Sequence, residues 1–126
     1  MNDLWRKAKD AARDARLLLE AGSRDGAVNR AYYTMLGAAR AALETVDPDL
    51  AQAEKHATII SRFSRHIVVD HGLDPDLGRY LNTSEDLRIA ADYDRRPLDL
   101  DAARTTIKRM DRFLAAIAVP LGESPS

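Results

Sequence analysis

The 126-residue chain contains no cysteine. That excludes a disulfide framework and any thiolate metal site, and it fits a reducing compartment. No apolar run approaches the roughly 20 residues of a membrane-spanning helix. The start, MNDLWRKAKD, lacks the apolar core of a signal peptide, so a cytoplasmic protein without membrane association is expected. Neither sign of charge is in excess: 19 basic residues against 20 acidic ones give a formal net charge of −1. Nucleic-acid binding would therefore have to come from a local patch, not a global basic field. The three histidines, His56, His66 and His71, have no metal-ligand spacing. There is no Gly-rich phosphate loop and no G-x-S-x-G turn. No metal and no cofactor are expected.

What is present is helical periodicity from end to end. In AVNRAYYTMLGAARAAL (Ala27 to Leu43), the residues Ala31, Ala42, Met35, Val28, Ala39, Tyr32, Leu43 and Leu36 fall within one arc of roughly 140° on a helical wheel. Small residues (Thr34, Gly37, Ala38, Ala41) cover much of the opposite side, where a solvated helix would carry Lys and Glu. This predicts a central helix, ending near Val46 before Asp47-Pro48, with neighbours on two sides. Before it, Leu4 to Ala21 reads as a first helix with Asp3 as N-cap and Trp5 at the edge of its apolar face. A Gly22-to-Asp25 turn makes the two antiparallel. After it, a third helix is expected from about Ala51 to Asp70, with His56 on the stripe of Ile59, Ile60, Phe63 and Ile67. A fourth starts at Asp74-Pro75, with Asp74 as N-cap. A fifth runs from Asp99 or Asp101 to Val119, where Pro120 ends it. The expected architecture is all-α, a five-helix up-and-down bundle over residues 1–119 with a disordered tail at 120–126.

Three polar features interrupt the apolar faces. Asn29, Tyr33 and Arg40 flank the stripe of the second helix, His56 lies on that of the third, and Arg88 with Asp92 lies within that of the fourth, followed by Tyr93. If the stripes face a common centre, these groups converge. One reading is a buried structural network in which Arg88 pairs with Asp92, so that Asp92→Ala would cost about 3–5 kcal/mol. The other is a phosphate or RNA site, with the planar fork of Arg88 on a phosphate and His56 or Tyr93 transferring a proton or donating a hydrogen bond. The two are compatible. Arg62 and His66, one turn apart, read as a solvated helix edge.

The stretches NRAYYTMLGAARAAL (Asn29 to Leu43), KHATIISRF (Lys55 to Phe63) and RIAADYD (Arg88 to Asp94) occur in this order over nearly the whole chain. Together they resemble the HEPN-domain proteins of prokaryotes, in particular a small stand-alone branch. The resemblance implies a four- to five-helix homodimeric bundle and a minimal nucleotidyltransferase as partner, the pair acting as toxin and antitoxin. In active members it implies a metal-independent ribonuclease with an R-x(4–6)-H motif paired across the dimer. Arg88 matches the motif arginine, but positions 93 to 95, where the histidine belongs, hold Tyr93, Asp94 and Arg95. Weak or absent ribonuclease activity is therefore expected, with phosphate binding through Arg88 retained and His56 the one nearby candidate base. In a related subfamily the partner caps a tyrosine near this motif with AMP, and Tyr93 is the analogous residue. Three functions stay open: a nucleotide- or RNA-phosphate-binding partner or toxin, a metal-independent endoribonuclease toxin, and a non-catalytic dimerisation adaptor.

Overall fold

The computed structural model describes residues 2–124. It is 80% helical, and among the described residues there is no strand. The five α-helices are α1 (Asp3–Glu20), α2 (Arg24–Val46), α3 (His56–Phe63), α4 (Asp76–Tyr93) and α5 (Leu100–Leu121), the all-α bundle the periodicity predicts. No helix of the described residues is long and apolar enough to cross a membrane.

Helix α2 is the axis of the bundle because α1, α4 and α5 all pack against it. Twelve of its residues are buried, and Thr34, Ala38 and Ala41, opposite the aliphatic stripe, are as inaccessible as Met35 and Leu43. Thr34 satisfies its own hydroxyl by donating to the Arg30 carbonyl at 2.8 Å. The small side chains let other helices approach closely. A Cβ at Gly37 would sit 3.5 Å from the Ala8 Cβ of α1, already van der Waals contact. Helix α1 lays Trp5, Ala8, Ala12 and Ala15 into the core, so Trp5, expected at the edge, is fully buried. From the other direction α5 contributes Met110, Phe113 and Leu114, and Phe113 stacks on Phe63 of α3 with centroids 5.2 Å apart.

Several boundaries differ from expectation, each for a local reason. The N-cap of α1 is Asn2, not Asp3: its Oδ1 accepts from the backbone N–H groups of Leu4 (2.9 Å) and Trp5 (3.2 Å). Its amide also donates to the Ala41 carbonyl at 3.1 Å. A carboxylate has no such donor, so an aspartate at this position could cap α1 but not tie it to α2. Helix α2 already begins at Arg24, after a turn in which Gly22 adopts φ +83°. The third helix is not continuous. Pro48–Ala51 form a 3₁₀ turn capped by Asp47, Lys55 is extended, α3 starts at His56, and Ser64–Val69 continue as a π-helical turn. Between Ala51 and His56 the chain offers only Gln52, Ala53, Glu54 and Lys55, too little apolar surface to hold a helix against the core. Arg62 fastens this segment by donating to the Leu50 carbonyl at 3.1 Å. Asp74 accepts from the Asp76 N–H, but α4 starts at Asp76, with Pro75 in the capping position. Helix α5 continues through Pro120 to Leu121 before Gly122 closes it in the left-handed region. Pro120 has no N–H to donate back along the helix, which costs one backbone hydrogen bond, and the helix ends within two residues of it. The tail expected from residue 120 thus starts later, and its residues 125–126 lie outside the described residues.

Candidate anion site

The extended link before α3 delivers His56, as its first residue, to the flank of α2. There the fully buried Tyr32 meets it. The Tyr32 hydroxyl donates to Glu85 Oε2 of α4 at 2.6 Å and lies 2.9 Å from His56 Nδ1. The same Glu85 oxygen is 3.8 Å from Nδ1. A phenol has one proton, and the short contact to the carboxylate holds it, so Nδ1 carries its own proton and donates to the Tyr32 oxygen. Burial, and then the hydrogen bond to Glu85 and its negative charge, hold the Tyr32 phenol far above its ordinary range, although the Arg88 charge opposes them. Tyr32 therefore stays protonated.

Arg88 is largely buried, with its side chain 18% exposed, as its place within the apolar arc predicts. Its neighbours are aromatic. The guanidinium lies over the rings of Tyr32 and Tyr33, 5.0 and 5.6 Å from their centroids, and Nε is buried without a hydrogen-bond partner. The ion pair expected to be buried is present but open to solvent: Asp92 Oδ2 is 3.9 Å from Arg88 Nη1, and Asp92 is 64% exposed. The fully buried residues of α4 are Leu77, Leu81 and Ser84, and beyond Arg88 its last turn projects past the core, so Asp92 reaches water. Asp92→Ala is accordingly expected to change stability by about 0.5 kcal/mol or less, not by the 3–5 kcal/mol of a stranded buried charge. Urea unfolding measures the difference, and a loss above about 2 kcal/mol would show that the pair is buried after all. Tyr93 does not join the cluster either. Five residues on from Arg88 it points roughly 140° away around the helix, and it is 86% exposed.

The α2 residues fare better. Asn29 accepts two hydrogen bonds from the Arg30 guanidinium, at 2.9 and 3.2 Å, and so orients Arg30 across the Tyr33 ring at 5.2 Å. Tyr33 stands edge-on to His56, with centroids 5.8 Å apart. Arg40 donates to the Ala53 carbonyl at 3.3 Å, while its Nε is buried and unpartnered. Arg30, Tyr33, Arg40 and His56 form one wall of a groove of about 280 Å³ between α1 and α2. Its floor is apolar, made by Leu4, Ala8, Ala11, Leu36 and Gly37. Its rim is Lys7, Arg30, Arg40, Tyr33 and His56, with no carboxylate among the lining residues. Such a groove suits an anion with an apolar body. Among the described residues no group of three His, Asp or Glu side chains is placed to hold a metal ion.

Sequence reasoning missed four of these residues. Lys7 falls on the charged face of the first helix, and Arg30 interrupts no apolar stripe, so neither stands out in the sequence. Tyr32 read as part of an apolar stripe, although a buried tyrosine hydroxyl needs a partner. Glu85 had the clearest signal, since it lies three residues before Arg88 and shares its helix face.

Fold and site together define a small helical-bundle protein with a basic, tyrosine-walled groove beside its central helix. The HEPN domain family model matches residues 1–119, and the chain belongs to that family. It is 33% identical over 91 residues to a UPF0332 protein of Gloeobacter violaceus, covering 72% of this chain and 70% of that one. It is 27% identical over 117 residues to a UPF0332 protein of Thermotoga maritima (91% and 86%). A protein of Methanocaldococcus jannaschii that bears the name "Putative toxin MJ0142" is 29% identical over 94 residues, 75% of this chain and 62% of that protein.

Proposed function

We propose that this HEPN-domain protein binds the phosphate of RNA or of a nucleotide in the groove between α1 and α2, as the toxin or partner component of a minimal nucleotidyltransferase pair. The observation that carries the reading is the rim of Lys7, Arg30 and Arg40 with no acidic side chain, on a chain whose net charge is −1. The name of the Methanocaldococcus relative supports the toxin role. Arg88, packed on two tyrosine rings, serves the groove by holding its Tyr33 wall. Tyr93, 86% exposed, is open to modification by such a partner, and with Ile89, 41% exposed, it offers the end of α4 to a second copy in a homodimer. The second reading, a metal-independent endoribonuclease, draws on the line Glu85–Tyr32–His56, which orients an imidazole at the groove.

Fluorescence anisotropy with a labelled single-stranded oligoribonucleotide across a salt series tests the binding. Affinity should fall steeply with salt, as counterion release requires, and Lys7→Ala should weaken it several-fold. Salt-independent binding, or none, would leave the adaptor reading in its place. Sedimentation at micromolar concentration tests the dimer, and growth with and without a co-expressed nucleotidyltransferase tests the pairing. RNA integrity in EDTA separates the two readings, since intact RNA favours binding and cleavage favours the nuclease.

A further inference from the structure

We propose that Glu85 and Tyr32 are positioning residues that fix His56 as a hydrogen-bond acceptor in the groove, which then selects a phosphate ester with a hydroxyl beside it, as in a ribonucleotide. This rests on the phosphate-binding reading above and deepens it. The starting point is a count of protons. Tyr32 has one, held toward Glu85 Oε2 at 2.6 Å, and burial beside that carboxylate keeps it on the phenol. The 2.9 Å contact to His56 then has Nδ1–H as its donor. In the neutral imidazole the lone pair consequently lies on Nε2, the ring nitrogen not engaged by Tyr32.

That lone pair matters because of what surrounds it. Lys7, Arg30 and Arg40 on the same rim can only donate. They satisfy phosphate oxygens but offer nothing to a ligand hydroxyl, which needs an acceptor. His56 Nε2 supplies one. A 2′-hydroxyl can donate to it, whereas a deoxyribose leaves it unpaired, and a site built to hydrogen-bond a hydroxyl rejects the analogue lacking it. The selectivity depends on Glu85. Without a carboxylate to accept from it, the phenol donates to the imidazole nitrogen, which is the better base. The ring proton then moves to Nε2 and the acceptor is lost.

The test uses the full chain labelled with ¹⁵N-histidine. Long-range ¹H–¹⁵N spectra should show His56 with its proton on Nδ1. Glu85→Ala and Glu85→Gln, neither of which leaves a carboxylate to accept from Tyr32, should both move it to Nε2. His66 and His71, outside this line, serve as internal references. In parallel, anisotropy compares labelled oligouridylate with its 2′-deoxy counterpart. Wild type should prefer the ribo form up to roughly tenfold, the size of one lost hydrogen bond. The ratio should fall to about one in His56→Ala, Glu85→Ala and Glu85→Gln alike. A wild-type proton on Nε2, or equal ribo and deoxy affinity, overturns this inference and leaves the phosphate groove standing. Binding of neither probe removes both. The wild-type spectrum and ratio need no variant to fold.

Discussion

Arg30→Ala combined with Arg40→Ala is expected to lower affinity for a single-stranded oligoribonucleotide about 100-fold. Both guanidinium groups stand on the rim of the groove, where each can make a charge-assisted hydrogen bond to a phosphate oxygen. A conservative 1.5 kcal/mol for each sums to about 3 kcal/mol, or roughly two decades of affinity. The logarithmic salt slope should also become shallower by about 1.4, at about 0.7 per phosphate contact on a single strand. Arg40 has a structural tie through the Ala53 carbonyl, so circular dichroism and urea unfolding accompany the titration. Arg30→Ala alone, whose side-chain hydrogen bonds go to its neighbour Asn29, gives the same direction at about tenfold. A double variant that folds and binds as wild type would remove the groove as the phosphate site.

Tyr32→Phe is expected to cost about 2 kcal/mol at neutral pH and to change how stability depends on alkali. The hydroxyl joins Glu85 and His56, and its removal leaves a half-buried carboxylate and a ring N–H without their partner, at about 1–3 kcal/mol for such groups. The pH effect follows from the raised pKa of the folded phenol. Below the ordinary tyrosine range of about 10 the phenol is protonated folded and unfolded, so its stabilising contribution is fully present. As pH rises past about 10 the unfolded chain releases this proton and the folded chain keeps it, so stability falls by up to about 1.4 kcal/mol per pH unit. Phenylalanine has no such proton, so the gap between wild type and variant should narrow above pH 10. Urea unfolding at pH 7 and above pH 10 measures it. A gap that stayed constant would mean that Tyr32 ionises as freely in the folded protein as in the unfolded chain.

Much of the fold is legible in the sequence because it depends on periods of three and four residues. The stripe of α2 and its small-residue remainder predict a central helix with neighbours on two sides, and its twelve buried residues, which include Thr34, Ala38 and Ala41, bear this out. The interruptions of the stripes also mark residues that the structure brings together, since Tyr33, Arg40 and His56 line one groove. Asn29 helps by orienting Arg30. A helical wheel, however, ranks directions around one axis and is blind to how far along that axis the neighbours extend. Arg88 and Asp92 share a face, yet the core covers Arg88 and stops short of Asp92, which is 64% exposed.

The amino-acid sequence by itself determined the helical class, the order of the five helices, the burial of α2 and the family, because these follow from local periodicity and from motifs carried in order along the chain. Only the tertiary structure decided which polar groups meet. The partner of Tyr32 is Glu85, 53 residues away, and the bed of Arg88 is the Tyr32 and Tyr33 rings, not Asp92. The cations of the groove are Lys7, Arg30 and Arg40, brought together by packing α1 on α2. Each of these pairings depends on the packing offset between helices. That offset is set by the sum of many small van der Waals contacts, such as Ala8 against Gly37, and not by any residue that announces it.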